Sequence, residues 1–204
     1  MTKHTPQFMP SFTVTIRQLW QAEQGMLRDH FAQLDAASRA MRFGGQVHDS
    51  FIDLYVRSAF STGNMVIGAF VDGQLVGIGE LKLFTSQLSL HAEVAFSVIP
   101  AWQGQGIGDA LITRIIAILQ NRSISKAQIW CSSSNARMQH LVEKHGAQLS
   151  FADADEAKFE IELPWPMPSS FIEEITGEFA CYTHAFMLAA QLTNRTVPAT
   201  PLPS

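Results

Sequence analysis

Three glycines alternate within residues 104–108, between a strand-like run and a strongly apolar helix-like run. Glycine next to a strand or helix costs conformational entropy, so it is favoured only where the backbone needs positive φ or where another group approaches it closely. The three glycines therefore indicate either a tight turn or a binding site. The free N–H groups at the start of the following helix would favour an anion, most naturally a phosphate or pyrophosphate. A tight turn without a ligand fits the same residues. The stretch is not a dinucleotide fingerprint, since Asp109 stands where GxGxxG requires its third glycine, and it lacks the P-loop ending.

Two carboxylates lie on the expected strands that precede this turn. Alternation along residues 91–99 places Glu93, Ala95 and Ser97 on one face of the strand and the apolar side chains on the other. A charge among small side chains is unusual there, although a solvent-facing position on an open part of the sheet is the plain alternative. Glu80 is expected on the neighbouring antiparallel strand. Both glutamates are candidates for accepting a proton.

Hydrophobic periodicity predicts the elements that must position these residues. Asp72-Gly73 joins two β-rich runs within residues 65–84 and predicts a hairpin. The order of strand, glycine turn, helix and strand predicts a parallel crossover. The further strands are expected at 12–19, 91–100, 126–134, 147–151 and 157–163, and the helices at 22–35, 48–60, 108–120 and 135–145. The chain is therefore expected to be an α/β protein with a mixed sheet and helices on its faces.

Composition limits the class of protein. The 204 residues are 47% hydrophobic and 16% charged, which is typical of a folded chain with a substantial core. A net charge of −4 and a pI of about 5.9 argue against a broad nucleic-acid surface. Two cysteines without metal-ligand spacing fit a reducing compartment. With no signal peptide and no membrane span, we expect a cytoplasmic protein with no metal, nucleic-acid or membrane partner.

The segment Gln103 to Gly108 matches QxxGxG, and the next helix is bracketed by Asn135 and Gly146. These features, in this order, resemble the GCN5-related N-acetyltransferases (GNAT). The stretch LDAASRAMRFGG (34–45) is similar to bacterial members that include protein-lysine acetyltransferase domains. The resemblance implies the GNAT fold, with a mixed and mostly antiparallel central sheet flanked by helices. It also implies transfer of an acetyl or other short acyl group from acyl-CoA to a primary amine, directly in a ternary complex.

The resemblance implies a binding site for acetyl-CoA as co-substrate. The amides of the QxxGxG turn would hold the pyrophosphate, and the strand before it would pair with pantetheine. Asn135 is an implied contact that would serve equally as a helix N-cap, and Arg137 is a candidate phosphate contact or an exposed helix arginine. The full set is Phe96, Ser97, Val98, Gln103, Gly104, Gln105, Gly106, Ile107, Gly108, Asn135 and Arg137.

The catalytic assignment is less complete. Glu93 resembles the proposed base of the protein-lysine acetyltransferase members, with Glu80 or water as alternatives. Val142 stands where many members carry the tyrosine that protonates the leaving thiolate, so the general acid is unassigned. Ser132 to Ser134 and His140 have no motif to support them in that role. Cys131 would allow a ping-pong route, but a buried structural cysteine fits it better because no activating base lies nearby.

The resemblance also divides the chain. Residues 1–11 are expected to be a mobile segment, 12–163 the GNAT domain, 164–193 a proline-rich connector with an extra C-terminal helix, and 194–204 a flexible tail. That helix would pack on the parent domain through Ile172, Ile175, Phe179, Phe186 and Ala189 or Ala190, or form a homodimer contact or a lid. The acceptor, a small-molecule amine or a protein lysine, stays open. The alternative to an enzyme, a catalytically silent acyl-CoA sensor or interaction module, is also left open, and Val142 and the extra helix favour it.

Overall fold

The described residues form one mixed sheet with helices on both faces. A computed structural model of the protein describes residues 12–85, 90–172 and 174–175. Within them, seven strands form a sheet in the order β1-β2-β3-β4-β5-β7-β6. All neighbouring strands are antiparallel except β4 and β5. The mostly antiparallel α/β architecture is confirmed.

The elements follow the predicted order with small shifts at their ends. The strands are β1 (Val14–Leu19), β2 (Asn64–Val71), β3 (Gln74–Thr85), β4 (Leu90–Val98), β5 (Lys126–Ser132), β6 (Gln148–Ala152) and β7 (Glu156–Glu162). The helices are α1 (Gln24–Ala32), α2 (Ala36–Phe43), α3 (Asp49–Ala59), α4 (Ile107–Asn121) and α5 (Ala136–Lys144), with a short 3₁₀ turn before α1 at Gln21–Glu23 and another before α4 at Pro100–Trp102.

Local sequence signals explain several of these boundaries. The hairpin between β2 and β3 turns at Asp72 and Gly73, which both have positive φ, at 49° and 80°. Positive φ at both central residues is the geometry that matches the twist of the strands. Gly146 follows α5 with φ of 87°, as its place at the end of a helix predicts.

Helix α2 is an element that the periodicity did not predict. Its signals are at its ends, because the Asp35 side chain accepts from the backbone N–H of Ser38 and Gly44 ends the helix in the left-handed region. The eight residues between these caps make only about two helical turns, which is too short a run for apolar spacing to identify a helix.

The two faces of the sheet are covered by different helices. Gly77 and Gly79 lie under α4, where an added Cβ would meet Ile107 and Leu111 at the first glycine and Ile115 at the second. These glycines let α4 pack close against β3. The opposite face is covered by α1, α2 and α3.

The C-terminal segment returns to α4. Residues 168–172 and 174–175 are helical, and Ser170 is buried, with its hydroxyl donating to the Asn121 side chain at 2.5 Å. Arg122 pairs with Glu174 at 3.0 Å. Phe171, Ile172 and Ile175 are exposed here. The rest of the predicted stripe, Phe179, Phe186, Ala189 and Ala190, lies outside the described residues.

No helix in the described part of the chain combines the length and the apolar character that crossing a membrane requires.

Close packing of α4 on the sheet predicts that a side chain at Gly79 destabilises the fold. A Cβ there would overlap Ile115 and lie 3.4 Å from the Phe96 ring, in a core without free space. We expect Gly79→Ala to lower the free energy of unfolding by about 1–3 kcal/mol. Gly25→Ala is the matched control, because its Cβ would meet nothing within 4 Å and Gly25 lies in α1. It should leave stability unchanged or raise it by up to about 1 kcal/mol. Equal effects in urea denaturation would contradict close packing at Gly79.

Candidate functional site

A cleft opens where β4 and β5 separate. The strands are paired from His91 to Val94 and from Lys126 to Ile129, and not beyond. The backbone N–H of Ile99 donates to Val76 on β3. Since successive N–H groups of a strand point to opposite edges, those of Phe96 and Val98 point away from β3, into the gap left by β5. An extended ligand can pair with this free edge.

The glycine turn closes one end of the cleft. Gly104 and Gly106 have φ of 74° and 83°, which a residue with a Cβ rarely adopts, and an added Cβ at either would enter open space. Gly108 is helical, and its Cβ would lie 3.0 Å from Leu141 of α5. The backbone conformation of the turn thus explains Gly104 and Gly106. Close packing of α4 against α5 explains Gly108.

The start of α4 offers free N–H groups beside that open space. The first helical hydrogen bond runs from the N–H of Ala110 to the C=O of Gly106, and no side chain caps the helix. The N–H groups of the first turn therefore lack partners in the helix and favour an anion.

Gln103 connects the turn to its surroundings. Its amide nitrogen donates to the Val98 carbonyl at 3.0 Å and lies 3.3 Å from the Ser38 hydroxyl of α2. Its amide oxygen accepts from the Arg137 guanidinium at 2.6 Å, across the cleft. Gln105 donates to the Ala101 carbonyl at 2.9 Å. The structure therefore brings Arg137 to the turn.

An acidic residue in the first turn of α4 is neutralised from α5. Asp109 accepts from Lys144 at 2.7 Å and lies 2.8 Å from His145 Nε2. The pKa of Asp109 is lowered, mainly by the hydrogen bond from Lys144 and to a smaller extent by the contact with His145. These partners reduce the repulsion that a lone carboxylate would exert on an anion at this helix end.

Asn135 and Val142 have structural positions in α5. The Asn135 side chain accepts from the N–H of Met138 at 3.1 Å, as an N-cap does. Val142 is fully buried in the core. His140 is exposed, and Ser132 Oγ lies 2.8 Å from Ser134 Oγ.

Glu93 lies on β4 with an exposed side chain. Its register partners are Lys82 on β3 and Gln128 on β5, within the last part of β4 that β5 still covers. The predicted alternation along β4 is correct, because Glu93, Ala95 and Ser97 lie on one face and the apolar residues on the other. On the Glu93 face, Ser97 lies 2.9 Å from the buried ring of His30 in α1. Burial, and then the charge of Arg42, lowers the pKa of His30 to about 3, so this imidazole is neutral.

Glu80 is buried on the same face as Glu93. It lies opposite Ala95, the first β4 residue beyond the pairing with β5. Its carboxylate accepts from Arg42 of α2, which also donates to the Tyr55 hydroxyl oxygen at 2.6 Å. Both side chains of the pair are about nine-tenths buried, at 9% and 10% exposure.

Electrostatics hold this group together. Burial alone would lower the pKa of Arg42, but the charges of Glu80 and Tyr55, together with the hydrogen bonds to both, more than offset this and raise it. Burial, and then the Glu80 charge, raises the pKa of Tyr55 to about 12. The Arg42 guanidinium also lies 4.9 Å from the Phe43 ring centroid and 5.4 Å from that of Tyr55. Glu80 is therefore the ion-pair partner of a buried arginine.

Cys131 is buried on the face of the sheet opposite to the one that carries Glu80 and Glu93. Burial raises the pKa of its thiol, which lowers the thiolate fraction that nucleophilic chemistry needs. The position agrees with a structural cysteine. Within the described ranges, no group of three or more His, Cys, Asp or Glu side chains is placed to hold a metal ion.

Comparison with known proteins identifies the family. A model of the acetyltransferase (GNAT) family matches residues 31–147 of the 204-residue chain. The protein belongs to this family. A search of curated proteins gave no significant match.

Solved structures share the fold at low sequence identity. The GNAT domain of S. lividans PAT aligns with a TM-score of 0.63 at 20% identity, covering 78% of this chain and 100% of that one. PaiA N-acetyltransferase from Thermoplasma acidophilum, in complex with coenzyme A, gives 0.57 at 19%, covering 74% and 99%. Spermidine N-acetyltransferase from Vibrio cholerae, in complex with CoA and spermine, gives 0.60 at 18%, covering 73% and 95%.

Sequence reasoning missed two residues at this site. Arg42 lies in the stretch 34–45, but it reaches Glu80 from 38 positions away, so no local pattern pairs the two residues. Trp130 is exposed beside the opening of the cleft, and its place in an alternating strand, on the Glu93 face, could have drawn attention to it.

The buried pair predicts a non-additive response to substitution. Arg42→Met should leave Glu80 as an uncompensated buried charge and lower the free energy of unfolding by about 3–5 kcal/mol. Adding Glu80→Leu removes that charge and should recover most of the loss. Urea denaturation of the two single variants and the double variant measures this. Additive losses would contradict a buried, coupled pair.

Proposed function

We propose that the protein transfers an acetyl or other short acyl group from acyl-CoA to a primary amine, directly in a ternary complex. The observation that carries the proposal is the cleft. Its free strand edge runs into the uncapped start of α4, while two carboxylates lie on the face where the cleft begins. This arrangement suits a long ligand with a phosphate end and a reactive end.

The residues of the cleft fit coenzyme A. The N–H groups at the start of α4 would hold the pyrophosphate, and the open space at Gly104 and Gly106 leaves room for it. The edge from Phe96 to Val98 would pair with the pantetheine amides. Bound acyl-CoA supplies the thioester, and an N–H on this edge is placed to stabilise negative charge on a carbonyl oxygen.

The positive charge at the phosphate end comes from α5 instead of the turn. Gln103 and Gln105 are neutral, whereas Arg137 is held at the turn by its 2.6 Å hydrogen bond to Gln103. We infer that Arg137 contacts a phosphate of the ligand. Its place beside the turn supports this role over that of an isolated surface arginine.

Glu93 is the proposed general base. An acceptor ammonium must lose a proton before its nitrogen has a lone pair, and an accessible carboxylate can accept it directly or through water. Glu80 is less suited, because Arg42 and Tyr55 occupy its surroundings. Glu93 is exposed and free of an arginine partner among the described contacts.

A silent acyl-CoA-binding sensor is the second candidate. It is favoured by Val142, which is buried where many family members carry a tyrosine acid. Release of free thiol in the presence of a panel of amines separates the candidates. Binding of acetyl-CoA without turnover on any amine would support the sensor.

The acceptor class rests on chemistry and on likeness. The spermidine N-acetyltransferase from Vibrio cholerae acts on an amine, and it shares only the fold with this chain. A small-molecule amine and a protein lysine are both compatible with the open face around Glu93. Mass spectrometry of metabolite and peptide mixtures after incubation with labelled acetyl-CoA would identify the acceptor.

The turn makes a prediction about affinity. Gly106→Val places a branched side chain in a left-handed conformation, in the space assigned to phosphate oxygens. We expect coenzyme A to bind at least about 10-fold more weakly by calorimetry, because contacts to several N–H groups are lost. Gly63→Val is the control, since Gly63 has φ of 86° and lies outside the turn. It should lower the melting temperature similarly and leave affinity intact. Unchanged affinity in Gly106→Val would remove the turn from the site.

The base makes a prediction about rate. Glu93→Gln keeps the shape and removes the proton acceptor, so kcat should fall by about 100-fold or more and the acidic limb of the pH profile should flatten. Acetyl-CoA binding should be nearly unchanged.

The matched control is the double variant Arg42→Met with Glu80→Leu, which removes the second carboxylate without leaving a buried charge. It should keep much more activity than Glu93→Gln. If this folded double variant is inactive while Glu93→Gln turns over normally, the base is Glu80.

A further inference from the structure

Trp130 lies at the opening of the cleft with its ring exposed. It follows Ile129, the last β5 residue paired with β4, and 41% of its surface is accessible. Gln128 is the register partner of Glu93, so strand alternation puts Trp130 on the Glu93 face. A solvent-exposed indole near the proposed base Glu93 is a candidate contact for the amine acceptor.

A cation of the protein itself already rests on this ring. Lys158 is the β7 residue opposite Trp130, and its Nζ lies 5.6 Å from the ring centroid. An ammonium within about 6 Å of an indole face is attracted by the ring electrons. The ring therefore accepts an ammonium group on a flexible alkyl chain.

Lys158 has a second partner besides the ring. Its Nζ lies 2.8 Å from Glu160, and that carboxylate also binds Lys126 at 3.0 Å. Moving the Lys158 ammonium off the Trp130 ring thus gives up the ring contact while the ion pair with Glu160 persists.

The surroundings of the ring suit a cation with an apolar stem. Phe151 of β6 is 47% exposed, with its ring centroid 6.3 Å from that of Trp130. Glu93, Glu156 and Glu160 lie on the same face by their strand registers. The same face carries Lys82 and Lys126, but Lys126 pairs with Glu160 and Lys82 lies over the Phe84 ring. The two aromatic rings, with Glu93 and Glu156 nearby, therefore favour an alkylammonium over an anion.

We propose that Trp130 is a specificity-determining residue that seats the ammonium and alkyl chain of the acceptor in the place held by Lys158. The inference rests on the proposed acyltransferase function and narrows the acceptor to a primary amine on a linear aliphatic chain. Such a chain comes from a small alkylamine or from a lysine side chain of a peptide.

The experiment compares Trp130→Leu with Trp130→Phe, and Trp165→Leu serves as the control because Trp165 is 83% exposed and lies beyond the opposite end of β7. Two readouts are used with n-hexylamine and a lysine-containing peptide. One is kcat/KM, and the other is the Kd of each amine for the protein saturated with CoA, measured by calorimetry. n-Hexanol, uncharged and of equal length, is titrated as the neutral probe.

We expect Trp130→Leu to weaken amine binding and lower kcat/KM by about 3- to 30-fold, the range of a cation–π contact. Trp130→Phe should recover part of the loss. n-Hexanol binding should change less, and KM for acetyl-CoA should not change. Lys158→Met, which removes the competing cation, should tighten amine binding by about 2- to 5-fold. The probe with the higher kcat/KM identifies the source of the alkylammonium.

Equal values for Trp130→Leu and Trp165→Leu would overturn the inference, as would a parallel loss of n-hexanol or acetyl-CoA binding or no binding of either amine. Failure of the proposed function is distinguishable from these results. In that case the wild-type protein would bind the amines in a Trp130-dependent way and acylate none of them.

Discussion

The site depends on one change in strand pairing. β4 and β5 are held together from His91 to Val94 and then diverge, which leaves the N–H groups of Phe96 and Val98 without a strand partner. Buried or half-buried backbone groups need partners, so an unpaired edge inside a fold is a binding feature or a liability. Here the edge leads directly into the turn at the start of α4. The same divergence opens the sheet face on which Glu93 and Trp130 lie.

The ion pair between Arg42 and Glu80 links the helices over that face to the sheet. Arg42 lies on α2, its second partner Tyr55 on α3, and Glu80 on β3, so one guanidinium connects three elements. A buried pair of this kind contributes little net stability compared with apolar residues, but losing one partner is costly. Its consequence for chemistry is that Glu80 is occupied, whereas Glu93 is accessible. The pair thereby separates a structural carboxylate from one that is available to a substrate.

Charge is distributed differently at the two ends of the cleft. At the turn, the side chains of Gln103 and Gln105 are neutral and serve as hydrogen-bond connectors, and the positive contribution comes from helix α4 and Arg137. Asp109 would oppose an anion there, but the Lys144 ammonium of α5 offsets its charge and the His145 ring contacts it. On the sheet face that carries Glu93 and Trp130, lysines and glutamates form ion pairs such as Lys158 with Glu160. The turn therefore favours an anion, whereas this face carries charges of both signs.

The sequence by itself determined the features that depend on neighbouring residues. These include the hairpin at Asp72-Gly73, the glycine turn before α4, the crossover to β5 and the end of α5 at Gly146, because backbone conformation and side-chain periodicity are local properties. The alternation that puts Glu93 and Ser97 on one face is of the same kind. Only the tertiary structure decided where β5 leaves β4, that Arg42 takes Glu80, and that Lys158 lies over Trp130. Those contacts join residues far apart in the chain, and they are set by strand register and by the packing of α2, which no local pattern encodes.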